Sequence, residues 1–143
     1  AGQWALSTTP SELSNQPTLT ARLAAEGPVG TTGRPELVLR CHQRSLEVFV
    51  DTKVTAAEVG TRVRWDEAPA VAYDVWSDAR TRAETLVTPE PEAFVRRAMR
   101  SRRMRFEFTP HGGAPAVASF QLAGISQVLL RLQEACPTLR ALD

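Results

Sequence analysis

Apolar residues along this chain recur with a period of two up to about position 88, and mixed periods follow. A period of two is the mark of half-buried strands. Residues 4–7 predict a short first strand, followed by a polar Ser/Thr/Pro/Asn stretch over 7–17. Residues 18–24 place Leu19, Ala21 and Leu23 on one face. Glycine and proline mark 27–35 as a loop. Segments 36–41 and 46–52 then predict a hairpin around His42-Gln43-Arg44-Ser45, with Leu46, Val48 and Val50 opposed by Glu47, Phe49 and Asp51. Segment 61–66 sets Val63 and Trp65 against Arg62, Arg64 and Asp66. Val71, Tyr73 and Val75 continue as an antiparallel partner.

At Thr88 the period lengthens. Thr88-Pro89-Glu90-Pro91-Glu92 offers a capping hydroxyl, proline in the first turn and acids at the positive end of a helix dipole. Phe94, Val95, Ala98 and Met99 supply the apolar stripe of a helix over about 90–101. Met104, Phe106 and Phe108 alternate with Arg105, Glu107 and Thr109 as a strand. Pro110-His111-Gly112-Gly113 turns the chain, and 116–122 returns. Gly124 opens a terminal helix over about 125–136, in which Ile125, Val128, Leu129 and Leu132 face a core, and Pro137 stops it. This order predicts an α+β fold in one domain spanning 1–143. Its body is a mostly antiparallel sheet or partial sandwich, with one inserted and one C-terminal helix packed on it.

Cys41 and Cys136 each close a patterned element, the first a strand and the second the terminal helix. They read as one disulfide stapling that helix to the sheet, the alternative being two unrelated buried thiols in a cytosolic protein. A loop so long stabilises the fold by roughly 4–5 kcal/mol in the chain-entropy model. Such bonds persist in oxidising compartments, which points to the periplasm or the exterior. The chain begins Ala1-Gly2-Gln3 without methionine and shows no signal peptide, so it reads as a mature form whose export signal is removed. No apolar run reaches the length of a membrane span. Seventeen basic against sixteen acidic residues leave a net charge of +1, too little surplus to predict nucleic-acid binding.

Catalytic motifs are missing. His42 and His111 fall in predicted turns, and neither has a cysteine or carboxylate at a metal-ligand spacing, so no metal or other cofactor is expected. Ser77 lacks the G-x-S-x-G elbow, and the glycines form neither a dinucleotide fingerprint nor a P-loop. The chain does not read as an enzyme. Its densest charge is Arg96-Arg97, Arg100, Arg102-Arg103 and Arg105. Helical spacing puts Arg96, Arg100 and Arg103 on one face, either an anion or partner surface or a solvated face complementing the dipole. Trp76, opposite Val71, Tyr73 and Val75 and followed by Ser77 and Asp78, is either a binding anchor or a cover for the sheet's second face.

A series of landmarks runs through the chain in order: Trp4, Leu37-Val38-Leu39-Arg40-Cys41, Glu47-Val48-Phe49-Val50, Trp76-Ser77-Asp78 and the Phe94 helix. Met104-Arg105-Phe106-Glu107-Phe108-Thr109-Pro110, Phe120-Gln121-Leu122-Ala123-Gly124 and Glu134-Ala135-Cys136 complete it. In this series the chain resembles the VasI/EvfG (TagO-like) family of type VI secretion-associated proteins, small exported proteins of Gram-negative bacteria. It departs from the family pattern at Asp78-Ala79-Arg80 and in having Pro137 after Cys136. The resemblance implies a periplasmic accessory role with no established catalytic activity, and a Cys41–Cys136 disulfide. The expected function is therefore a non-enzymatic periplasmic or secreted interaction domain. Its partner would be a protein of the envelope or of a secretion or phage-like assembly, met through Trp76, Ser77, Asp78, Arg96, Arg100 and Arg103. The alternatives are an envelope module for anions or glycans, a hydrolase with an unrecognised carboxylate pair, and a virion or appendage subunit.

Overall fold

The computed structural model describes residues 4–10, 17–26, 34–42, 44–54, 61–72, 77–78, 85–88, 90–110 and 112–137, with 72, 77–78 and 85–87 as backbone alone. The strands are β1 (Trp4–Thr9), β2 (Thr18–Ala24), β3 (Glu36–His42), β4 (Ser45–Asp51), β5 (Arg62–Trp65), β6 (Val71–Ala72), β7 (Ser77–Asp78) and β8 (Thr85–Val87). Helix α1 (Pro91–Met99), β9 (Arg103–Phe108), β10 (Ala116–Gln121) and α2 (Ile125–Ala135) complete the chain. Among the described residues these strands form two antiparallel sheets. The first runs β1-β2-β3-β4 and is extended by the short β8 and β7. The second runs β10-β9-β5 and is extended by the short β6. The fold is α+β, with a helix inserted between the strands and another closing the chain, as the periodicity predicts.

Both sheets and both helices empty into one cluster. From the first sheet come Leu19, Ala21, Leu23, Leu37, Leu39, Leu46, Val48 and Val50, and from the second Val63, Trp65, Met104, Phe106, Phe108 and Phe120. Phe94, Val95 and Ala98 of α1 join Ile125, Val128, Leu129 and Leu132 of α2 in the same cluster. Trp65 meets Phe94 edge-on at 5.0 Å between centroids, which couples the second sheet to α1. Every aromatic that periodicity assigns to the core is buried there, Trp65 included. On the opposite face of the first sheet Val38, paired with Phe49, is buried outside this cluster, and Arg40 donates to Glu47 at 2.7 Å while lying 5.3 Å from the Phe49 ring.

Three elements differ in extent from the sequence reading. The first strand runs on to Thr9, because each of its residues pairs with β2, from Trp4↔Leu23 to Thr9↔Thr18. The hairpin turn is tighter than expected: His42 pairs with Ser45, and Arg44 turns the chain at φ 67°. His42 is thus a strand residue, its Nδ1 2.8 Å from Thr18 Oγ1. Helix α1 is shorter than 90–101. Glu90 stands at the N-cap without a side-chain cap bond, and the Thr88 hydroxyl accepts from Glu90 N at 3.3 Å instead. At its other end the backbone of Arg102 and Arg103 is drawn off to Asp66. Val71 pairs with Val63 as predicted, yet on the edge strand it is 51% exposed, and Tyr73 and Val75 lie outside the described residues. Helix α2 matches its prediction, entered through Gly124 at φ 91°, a conformation glycine adopts without a Cβ clash.

The disulfide is present. Cys41 at the end of β3 and Cys136 just beyond α2 are bonded, their Cα atoms 5.9 Å apart and both residues 1% exposed or less. Among the described residues no helix is long and apolar enough to cross a membrane.

Two measurements check this packing. Reduction, or Cys41→Ala with Cys136→Ala, lowers the unfolding free energy in urea by ~2–5 kcal/mol, since a separation of 95 residues is released. Phe106→Ala, at a position with no exposed surface, lowers it by ~3–5 kcal/mol through cavity formation.

Candidate functional site

Beyond Trp65, whose ring is committed to the core, the next residue must turn the chain. Asp66 does so at φ 49°, a left-handed conformation that aspartate tolerates better than most residues. Ala68 N donates to Trp65 O at 2.9 Å and closes the bend. The Asp66 carboxylate then accepts from two backbone amides, Arg102 N at 2.9 Å and Arg103 N at 3.0 Å. Asp66 N returns a bond to Arg103 O at 3.0 Å. Three hydrogen bonds therefore fasten the 66–70 turn to the segment joining α1 to β9. Pro69 and Ala70 are left exposed at its tip.

Arginines ring this turn. Three shallow depressions adjoin it, one holding Arg102, Arg103 and Arg105, one Arg62, Arg64 and Arg105, and one Arg97 and Arg100. Ala70 borders the second and third, and Trp65 and Val71 give the third an apolar floor. The acids nearby are already engaged. Glu107 takes two bonds from Arg62, at 2.7 and 3.2 Å, and Glu67 pairs with Arg64 at 3.3 Å. Glu26 stands 3.5 Å from Arg103 Nε, and Asp66 is spent on backbone amides. Arg97, Arg100, Arg102 and Arg105 have no acidic partner among the described residues.

The register sharpens the imbalance. On the outer face of the second sheet Arg64 stands directly across from Arg105, which has Ser119 on its other side. Like charges opposed across a pair of strands are destabilising, and here Arg64 is engaged by its own turn, donating to Ala68 O at 3.0 Å and pairing with Glu67, which leaves Arg105 as the cation without an acid. The next row shows the compensated case: the hydrogen bond from Arg62 holds the Glu107 carboxyl below its usual range, and the same bond raises the Arg62 guanidinium. Guanidinium forks without counter-ions recognise carboxylates in pairs of parallel bonds, and that is what this surface can do chemically.

The sequence-predicted candidates are distributed differently from expectation. Arg103 is not on the helix face with Arg96 and Arg100: α1 ends at Met99, and Arg103 is the first residue of β9. Arg100 and Arg103 nevertheless line two depressions that each border the 66–70 turn. Arg96 is exposed on α1 and borders none of the three. Trp76 lies outside the described residues, and Ser77 and Asp78 are described only as backbone, paired with Val87 and Leu86 in β7 and β8. Periodicity alone missed Arg62, Arg64 and Asp66 as companions of the 102–105 cluster. The alternation that faces them outward was readable, but the β5–β9 pairing was not. His111 lies outside the described residues, and among those described no three histidines, cysteines or acids gather as for a metal ion.

Asp66→Ala, which removes the acceptor for two amides, lowers stability by ~1–3 kcal/mol and loosens the turn, read by urea unfolding and amide exchange at Arg102 and Arg103. The lowered carboxyl of Glu107 stabilises the folded chain above the unfolded carboxylate range. That contribution is lost as pH falls through the folded value, so parent and Glu107→Gln differ slightly in unfolding midpoint at pH 7 and converge in acid.

No family model, curated protein or solved structure matches the chain.

Proposed function

We propose that this chain is a non-catalytic accessory domain of the periplasm or cell exterior that holds an acidic protein partner on the arginine-ringed turn. The observation that carries the reading is the set of four arginines without acidic partners around a firmly anchored turn, with Arg64 opposed to Arg105. A disulfide closed inside the core supports an oxidising compartment. The accessory role in type VI secretion rests on the VasI/EvfG resemblance, and Trp76, Ser77 and Asp78 are kept as partner contacts on the sequence reading of a tryptophan beside a polar run.

The test is capture from envelope extract by the oxidised protein, with elution by salt. The parent retains an acidic protein that raised ionic strength releases, and Arg102→Glu with Arg105→Glu loses it. Retention of every captured protein by that double variant, at every salt concentration, rejects the surface. Titration calorimetry against peptidoglycan fragments separates the glycan-binding alternative, which predicts heat with the fragments.

A further inference from the structure

A second concave site lies where the β3–β4 turn, the facing ends of β1 and β2 and the last turns of α2 meet. It is a half-open cleft of about 290 Å³. Leu19 and Pro137 contribute apolar surface, Thr8 a hydroxyl, Glu134 a carboxylate, and Arg44 and Arg131 two guanidiniums. Neither arginine has an ion-pair partner among the described residues, and both are exposed. These side chains converge from four segments far apart in sequence, so local helix or strand chemistry does not account for the grouping. Arg44 is unusual for its position as well. A two-residue hairpin turn asks for a left-handed residue, which Gly, Asn or Asp supplies most easily, and here a long cation occupies it at φ 67°.

We infer that this cleft binds the carboxyl terminus of a peptide. The terminal carboxylate sits between Arg44 and Arg131, the last side chain lies on Leu19 and Pro137, and Glu134 and Thr8 take the peptide N–H groups. The volume suits one or two residues and not a folded element. A carboxylate among the lining groups distinguishes the ligand from a fatty acid, which offers no N–H donor to satisfy it. The site is separate from the arginine-ringed turn and does not depend on that reading. It does depend on the disulfide. Leu19 pairs directly with Cys41, and Ala135 and Pro137 flank Cys136, so the bond holds two walls of the cleft together. The oxidised protein is the binding-competent form.

The experiment is calorimetric or NMR titration of the full oxidised chain with N-acetyl-Gly-Ala-Leu as free acid, its C-terminal amide, and octanoate. The free acid binds, the amide and octanoate bind at least tenfold more weakly, and reduction of the protein weakens the free acid at least tenfold. Arg44→Gly and Arg131→Gln each cost tenfold or more in affinity. Arg44→Gly keeps or raises the Tm, because glycine relieves the positive φ, so its loss of binding is not a loss of fold. Equal binding of acid and amide, an unaltered affinity in both variants, octanoate as tight as the acid, or no binding of the acid at all overturns the proposal.

Discussion

The inner face of the second sheet has to be covered, and most of this structure follows from how that is done. Val63, Trp65, Met104, Phe106, Phe108 and Phe120 present a dense apolar surface that so small a sheet cannot bury on itself. Helix α1 answers Trp65 through Phe94, and α2 and the first sheet supply the rest of the shared cluster. Because side chains on a strand alternate, fixing that inner face also fixes what lies outside. Arg62 and Arg64 are outward because Val63 and Trp65 are inward, and Arg103, Arg105 and Glu107 follow from Met104, Phe106 and Phe108. The cationic surface is thus the reverse side of the core. Its charge is local, since the chain as a whole carries only +1.

The strands were legible where one face is apolar and the other polar. Segments 18–24, 46–50 and 104–108 carry their burial in their composition, and the last two alternate as it predicts, while in the first Thr20 is buried as well. Terminal helix α2 was equally plain, since its stripe of Ile125, Val128, Leu129 and Leu132 has a helical period and Pro137 stops it. Failures came where backbone pairing decides the matter. Ser7, Thr8 and Thr9 are polar and exposed, yet they extend β1 because β2 offers a ladder. Thr88 had the chemistry of a cap, but its hydroxyl serves a turn one step earlier. Arg103 had helical spacing from Arg96 and Arg100, and Asp66, 36 positions upstream of Arg102, overrode it by claiming the local amides.

The candidate site was half readable for the same reason. A run of arginines at 96–105 is conspicuous in any reading, and its chemistry does not need a structure to be named. That Arg62 and Arg64 stand beside it requires the β5–β9 register, a contact between distant segments that period and propensity do not encode. The cleft at the other candidate site needs still more, bringing together residues from position 8 to position 137. Its one local signal is Arg44, a residue whose type and conformation disagree.

Residues 41 and 136 are joined covalently across most of the chain, a sequence separation of 95 that takes in every element from β4 to α2. A protease that makes one cut anywhere between them therefore does not release a fragment. The two pieces stay linked through sulfur and held by the common core, and the nick becomes visible by electrophoresis only after reduction. In an environment rich in proteases, such a molecule survives the first cleavage as one particle.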